Sequence, residues 1–386
     1  MSNSDNSDNK LVNLPHILLS KIVKELGENI DIISFSLVCK KWFKDRDSYI
    51  VFNFNHILAS NSLDDLKSFH WNSYRKQIEY SKSIKPNCKL CFCTNDELTI
   101  YDPKYVNFDY VLDYELYYVE NQPLVIPSNV DDITFSNSFN HSLDLISDAL
   151  ALSNNNVKSL HFGAQFNQPL TPGSLPPTIT SLSLSEHFNQ PLDIDSLPSS
   201  LTSLVFGPHF NQELRPGVLP QSLRYLELGE TFNQPFGHGS LPPNLVEIVF
   251  YNDVQSPILD AQVIPQSLRA IENIPPSWME QLDLMPQLNR ISIKKLPALI
   301  FPAGSIPPNI TKLDFGFNAS FILHDGVLPP MLKSLKLGRC SYRLEHLFPK
   351  QQNSDGGGLE LDVLYLGSSY SHPIRAGTLP KFGVSP

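Results

Sequence analysis

Apolar positions change their period along this chain. Between residues 11 and 44 they recur at helical spacing. Leu14, Leu18, Ile22 and Leu26 stand four apart, which places them on one face of a helix. Asn13 reads as the cap of that helix, ahead of Leu14-Pro15, and Gly27 as its stop. Asp31 reads as the cap of a second helical stretch, whose apolar face carries Ile32, Phe35, Val38 and Cys39, then Trp42 and Phe43. From about residue 120 the pattern becomes I/L-x-x-L-x-L, as in Ile179, Leu182 and Leu184. The Leu-x-Leu alternation predicts a short strand with one face buried.

These alternations return at a fixed interval. FNQPL stands at 166–170 and 188–192, FNQEL at 210–214 and FNQPF at 232–236, each 22 residues after the last. Leu-Pro elements begin at Leu175, Leu197, Leu219 and Leu241 in the same phase. One unit reads LPPTITSLSLSEHFNQPLDIDS, residues 175–196. Its prolines exclude a helix of useful length, and Leu175-Pro176-Pro177 is expected to run extended. A short strand, a turn and a return at strict period describe one coil of a solenoid. A single coil cannot bury its own apolar face, but stacked coils can. Phe166, Phe188, Phe210 and Phe232 are then expected to stack inward. Asn167, Asn189, Asn211 and Asn233 are expected to satisfy turn backbone, rung by rung. The pattern continues at 306–316 and 328–338. It is worn at 241–250, 264–274 and 288–296, begins upstream with 126–143, and carries an insertion at 341–358. About ten or eleven strands fall between residues 133 and 366.

The combination LPPxLTSLxLGxxFNQPL resembles the FNIP repeat, a 22-residue variant of the leucine-rich repeat, over roughly residues 120–380. The N-terminal order LP-xx-L-xxx-I-xxx-L…SLVCKKW resembles an F-box. That resemblance implies docking on the Skp-type adaptor of a cullin-RING ubiquitin ligase. It assigns the contact role to Leu14, Pro15, Leu18, Ile22, Leu26, Leu37, Val38, Cys39, Lys40 and Trp42. His16-Ile17 follows Pro15 where that family often has an acidic residue, and Gly27–Ile30 lacks its usual proline. The expected fold is α+β, a short helical module followed by a solenoid with a parallel sheet face. The expected organisation is a disordered tail at 1–10, the F-box at 11–50, a connector with irregular first coils at 51–119, the repeats at 120–380 and a tail at 381–386. About forty residues are too few for an independent core, so the helical module needs a partner. The plainer alternative is a helical cap on the solenoid.

Composition narrows the function. The net charge is −10 and no basic stripe is present, which argues against nucleic acid as a partner. The polar start MSNSDNSDNK has no signal-like pattern, and no apolar run approaches the ~18 residues that span a membrane. Five cysteines suit a reducing compartment. The expected location is therefore cytoplasmic, with the nucleus also open, and the sequons at Asn309 and Asn318 read as chance. Cys88, Cys91 and Cys93 form C-x-x-C-x-C without the second pair that zinc normally wants, so the stretch reads as a worn strand. His161, His187 and His209 recur with the repeat or near it, and no metal or cofactor is expected from them. No nucleophile elbow or phosphate loop is visible, so the expectation is not an enzyme. A carbohydrate-active solenoid would need paired carboxylates on the sheet face, for which Glu227 and Glu247 are weak candidates.

The repeat surface offers a second partner. The outward strand positions are small in the first coils and depart later, at Tyr225, Glu227, Glu247, Tyr251, Arg290 and Lys312. Tyr and Arg anchor many interfaces, so these residues form the expected target-binding patch. The functional expectation is a substrate-recognition subunit of a cullin-RING ligase with an unidentified protein target. The alternative is a non-ubiquitin interaction scaffold with a decayed F-box.

Overall fold

The structure is a computed structural model. It describes residues 14–26, 29–50, 88–93, 110–113, 126, 129–144, 147, 157–251, 263–293, 299–316, 321–324, 326–338, 344–348, 359–367 and 370–383. The chain divides into two compact units, Met1–Ser136 with Asp148–Val157, and Asn137–Ser147 with Lys158–Pro386.

The first unit opens with three short helices, α1 (His16–Lys24), α2 (Asn29–Ser36) and α3 (Lys40–Asp45), followed by a 3-10 turn at Arg46–Ser48. Two expected caps differ. Pro15 precedes α1 directly, and Asp31 lies inside α2, which starts two residues earlier. Cys39 is the real cap of α3, its Sγ accepting from the Trp42 N–H at 3.4 Å. Leu19, Val23, Ile32, Trp42, Tyr49 and Ile50 form the core, with Leu14, Leu26 and Phe35 packed at its edge. The inward stripe of α1 is therefore Leu19 and Val23, one residue round from the face that carries Leu18 and Ile22. A one-residue step rotates a helix by about 100°. Strands β1 (Cys88–Cys93), β2 (Tyr110–Asp113) and β3 (Val130–Phe135) also lie in this unit, with β1 paired in parallel to both others. Cys88, Cys91 and Cys93 thus stand on a strand, and Leu90 between them is fully buried. Most of the connector expected at 51–119 lies outside the described residues.

The second unit is the solenoid. Its main strands are β4 (Ser159–His161), β5 (Ser181–Ser183), β6 (Ser203–Val205), β7 (Tyr225–Leu228), β8 (Glu247–Phe250), β9 (Ala270–Glu272), β10 (Arg290–Ile293), β12 (Lys312–Phe315), β14 (Ser334–Leu337) and β16 (Val363–Tyr365). They hydrogen-bond in that order, each parallel to the next. Two small pairs, β11 (Leu299–Phe301) with β13 (Phe321–Leu323) and β15 (Glu360–Leu361) with β17 (Lys381–Phe382), stand apart from this sheet. The helix α4 (Pro276–Met279) lies between β9 and β10, and α5 (Leu344–Leu347) inside the sequence insertion.

Sequence chemistry explains each side of a coil. The central leucine of each strand from β4 to β7, Leu160, Leu182, Leu204 and Leu226, is buried. Phe139, Phe166, Phe188, Phe210 and Phe232 are also buried and stack with successive ring centroids 6.1 Å apart. Where the FNQ element disappears, Trp278 of α4 takes over, edge-on to Phe236 and Phe250. The second proline of the Leu-Pro-Pro element does not continue an extended run. Ile179 N–H donates to the Pro176 carbonyl at 3.3 Å, closing a turn with Pro177 at its first central position, which fixed φ favours. The same bond recurs from Leu201 to Pro198 and from Leu245 to Pro242.

The asparagines form the expected ladder. Asn140 Oδ1 accepts from Asn167 N–H, Asn167 from Asn189, Asn189 from Asn211 and Asn211 from Asn233, at 2.9 to 3.0 Å. The glutamine completes each rung. Nε2 of Gln190, Gln212 and Gln234 donates to the same oxygens at 3.1 to 3.2 Å.

Candidate functional site

Two surfaces present side chains that the fold does not consume. The first is on the helical module. Leu18 and Ile22 of α1 are 41% and 38% exposed, and Leu37 and Val38, in the turn between α2 and α3, are 59% and 67% exposed. Pro15 and Lys40 are exposed as well. Ile17, which lies off the four-residue stripe and was missed in the sequence, is 70% exposed. Leu14, Leu26 and Cys39 are half-buried. Trp42 needs correction as a contact residue. It is 7% exposed, stacks on Phe35 with centroids 4.7 Å apart, and its carbonyl accepts from the Tyr49 hydroxyl at 2.8 Å. Trp42 therefore holds the three helices together and leaves Ile17, Leu18, Ile22, Leu37 and Val38 outside.

The second surface is the sheet face over β7 to β12. Register aligns Tyr225, Glu247, Ala270, Arg290 and Lys312 in one row across five strands. A second row aligns Glu227, Val249 and Glu272. Ala270 and Glu272 were not read from the sequence, because the coil around 264–274 has lost its repeat signature. Both matter to the geometry. Adjacent strands lie about 4.8 Å apart, so Arg290 must cross β9 to reach β8. The short Ala270 side chain leaves that path open. Arg290 Nη2 accordingly pairs with Glu247 and stands 3.9 Å from Glu272. Val249 and Ser292, although they alternate with the core positions of their strands, are 2% and 6% exposed. In register Val249 has Glu227 on one side and Glu272 on the other.

The tyrosines on this patch sit among acids. Tyr225 donates its hydroxyl to Glu227 Oε2 at 2.6 Å. Burial first, then that hydrogen bond and the nearby carboxylates of Glu227, Glu247 and Glu272, push its hydroxyl well above the usual phenol range. Tyr251, exposed beside them, is also held high, by burial and then by Glu227 and Glu272. Glu247 and Glu272 thus share one guanidinium while Glu227 is engaged by Tyr225, with exposed Lys312 one strand beyond. Such a patch can take up cationic side chains and stack them against tyrosine.

Glu227 and Glu247, raised as possible catalytic acids, are engaged by Tyr225 and Arg290 respectively. Elsewhere in the solenoid, Glu186, His187 and His209 bring their ligand atoms within 4.8 Å of one another. A hollow of about 140 Å³ lies against the first coils, lined by Leu143, Gln168, Pro169 and Ser174 among others. Among the described residues no helix is long and apolar enough to cross a membrane.

No curated protein matches the chain. A solved crystal structure of CroV588, described as a novel circular LRR protein, shares 26% identity over 66% of this chain, with a TM-score of 0.40. The match spans 43% of that protein's length. A family model, FNIP Repeat, matches residues 154–187, 188–231, 232–272 and 300–340. Four stretches of this chain between residues 154 and 340 are FNIP repeats.

Proposed function

We propose that the chain is a substrate receptor of a cullin-RING ubiquitin ligase, with α1 to α3 docking a Skp-type adaptor and the sheet patch over β7 to β12 holding a protein target. The observation that carries the first half is the exposure of Ile17, Leu18, Ile22, Leu37 and Val38 on a module whose core is already filled by Leu19, Val23, Ile32 and Trp42. Exposed apolar clusters of this kind mark docking surfaces. The second half rests on a repeat solenoid, an architecture suited to protein interaction, and on the patch chemistry. Three carboxylates beside two tyrosines favour a target segment bearing Arg or Lys. Nothing in this reading asks the chain to catalyse. It acts by effective concentration, keeping the target close to the charged ubiquitin carrier.

The test is a pull-down of the full chain with a purified Skp-type adaptor. The diagnostic variant is Leu18→Asp with Val38→Asp, both exposed, so the helices keep their core. Loss of two central apolar anchors is expected to cost ~2 kcal/mol or more each, about thirtyfold per site. Binding by the wild type that this variant abolishes supports the receptor reading. Absence of binding by folded wild type overturns it and leaves a repeat scaffold with a decayed F-box.

A further inference from the structure

We propose that Glu186, His187 and His209 form a binding site for a divalent transition-metal ion with zinc-like ligand preferences, bridging two neighbouring coils. The site arises from the repeat itself. His187 and His209 each precede a core phenylalanine, one coil apart. Phe188 and Phe210 are fully buried, so the backbone beside them is anchored. His187 N–H donates to the Ala164 carbonyl at 3.0 Å, and His209 N–H to the Glu186 carbonyl at 3.2 Å. Stacking therefore delivers the two imidazoles to one place. Their ring centroids are 5.0 Å apart and their planes 25° from parallel. Glu186 adds a carboxylate, and the three ligand atoms lie within 4.8 Å of one another.

A second observation points to ligation. His209 Nδ1 lies 3.0 Å from the Glu186 backbone carbonyl. A carbonyl only accepts, so Nδ1 carries the proton and the Nε2 lone pair is left for a ligand. This is the orientation that metal-bound histidines commonly have, with the other ring nitrogen held by an outer acceptor. Tetrahedral zinc with bonds of about 2.0–2.1 Å needs ligand atoms about 3.3 Å apart. All three side chains are exposed, and small rotamer adjustments close the difference. Imidazole and carboxylate ligands suit zinc and its neighbours better than calcium or magnesium. Three protein ligands leave the fourth position for water or a donor from another molecule. The equivalent positions in the flanking coils are Gln165 and Thr231, so the site is confined to these two coils.

The experiment is a calorimetric titration of the metal-free full chain with Zn2+ alone, under reducing conditions. His187→Ala, His209→Ala and Glu186→Gln are compared with wild type, and far-UV circular dichroism checks their fold. Cys88, Cys91 and Cys93 could also take zinc, so the number of equivalents is the informative quantity. Each histidine variant is expected to lose one bound equivalent. Glu186→Gln removes a charged ligand and is expected to weaken binding of that equivalent by about tenfold or more. Zinc is also expected to raise the unfolding midpoint of wild type more than that of the histidine variants, because it cross-links two coils. Unchanged stoichiometry in both histidine variants, or no zinc binding by wild type, overturns the proposal.

Discussion

The Oδ1 of Asn211 accepts two hydrogen bonds from the following coil, from the Asn233 N–H at 3.0 Å and from Gln234 Nε2 at 3.1 Å. Asn211→Ala leaves both donors without that acceptor and is expected to lower stability by about 1–2 kcal/mol. Phe210→Ala, one position earlier but fully buried, is expected to cost about 3–5 kcal/mol. Thermal or denaturant unfolding of the two variants checks the ranking. The roles of Phe and Asn were legible in the sequence because each recurs in phase with the strands. The role of Gln was not, since a recurring exposed amide carries no signal of what it reaches. Trp42 was misread for a related reason. Its motif points to a partner, while its surroundings, Phe35 and Tyr49, become neighbours only after folding. Tyr225 offers a test in alkaline solution. A free tyrosine ionises near pH 10. The folded value of Tyr225 is higher, so its contribution to stability is full below about pH 10. That contribution is lost as pH rises from there toward the raised folded value. A spectrophotometric tyrosine titration of Tyr225→Phe is expected to lack the latest-ionising component seen in wild type.

At the scale of one coil, backbone clearance decides which residues are allowed. A Cβ on Gly229 would sit 2.0 Å from the Gly207 carbonyl oxygen, and one on Gly207 1.8 Å from that of Ser185. Neither approach can be relieved by a side chain moving, because the obstacle is backbone. Gly229→Ala is expected to destabilise by about 3 kcal/mol or more, a size reserved for disrupted backbone packing. Tyr251 occupies the position that follows β8, where the two preceding coils have Gly207 and Gly229. From that point the simple spacing of the first coils is lost. Each coil also turns once through the left-handed region, at Gly173, Gly217 and Gly239, but with Asp195 in the same phase. Asp195→Gly is expected to be stabilising by about 0.5 kcal/mol. Relief of the left-handed cost of ~1–2 kcal/mol outweighs the added chain entropy of ~0.5–1 kcal/mol. Strand positions were readable where an apolar alternation survives, as at Leu182 and Leu184 or, in worn coils, at Ile248 with Phe250 and Ile291 with Ile293. The turn made by Pro177 was not. A proline after another proline suits an extended run as well as the first central position of a turn, and the Ile179 to Pro176 hydrogen bond selects the turn.

Across the solenoid, each coil touches its neighbours and little else, so perturbations should fade with distance along the array. Hydrogen exchange on Phe210→Ala is expected to accelerate in β5 to β7 while β12 and β14 keep wild-type protection. Uniform acceleration would mean that the array opens as one block. The sheet patch shows where sequence reading runs out at this scale. Tyr225, Glu227, Glu247 and Arg290 stood out as departures from a regular column. Glu272 and the gap at Ala270 lay in a coil too worn to align, and they entered the patch through strand register alone. The asparagine ladder has a further consequence, for how such a chain can change in length. From Asn167 to Asn233 each rung joins residue i to residue i+22, and the two ends of a rung are chemically alike. Excising residues 188–209 would bring Asn211 against Asn167, with the same oxygen meeting the same N–H. Removing one residue fewer or more would misplace every rung beyond the cut. Among the regular coils the ladder is therefore kept by gain or loss of whole coils, which makes the 22-residue coil the natural unit of duplication, while the first rung, Asn140 to Asn167, spans 27 residues and keeps the same bond.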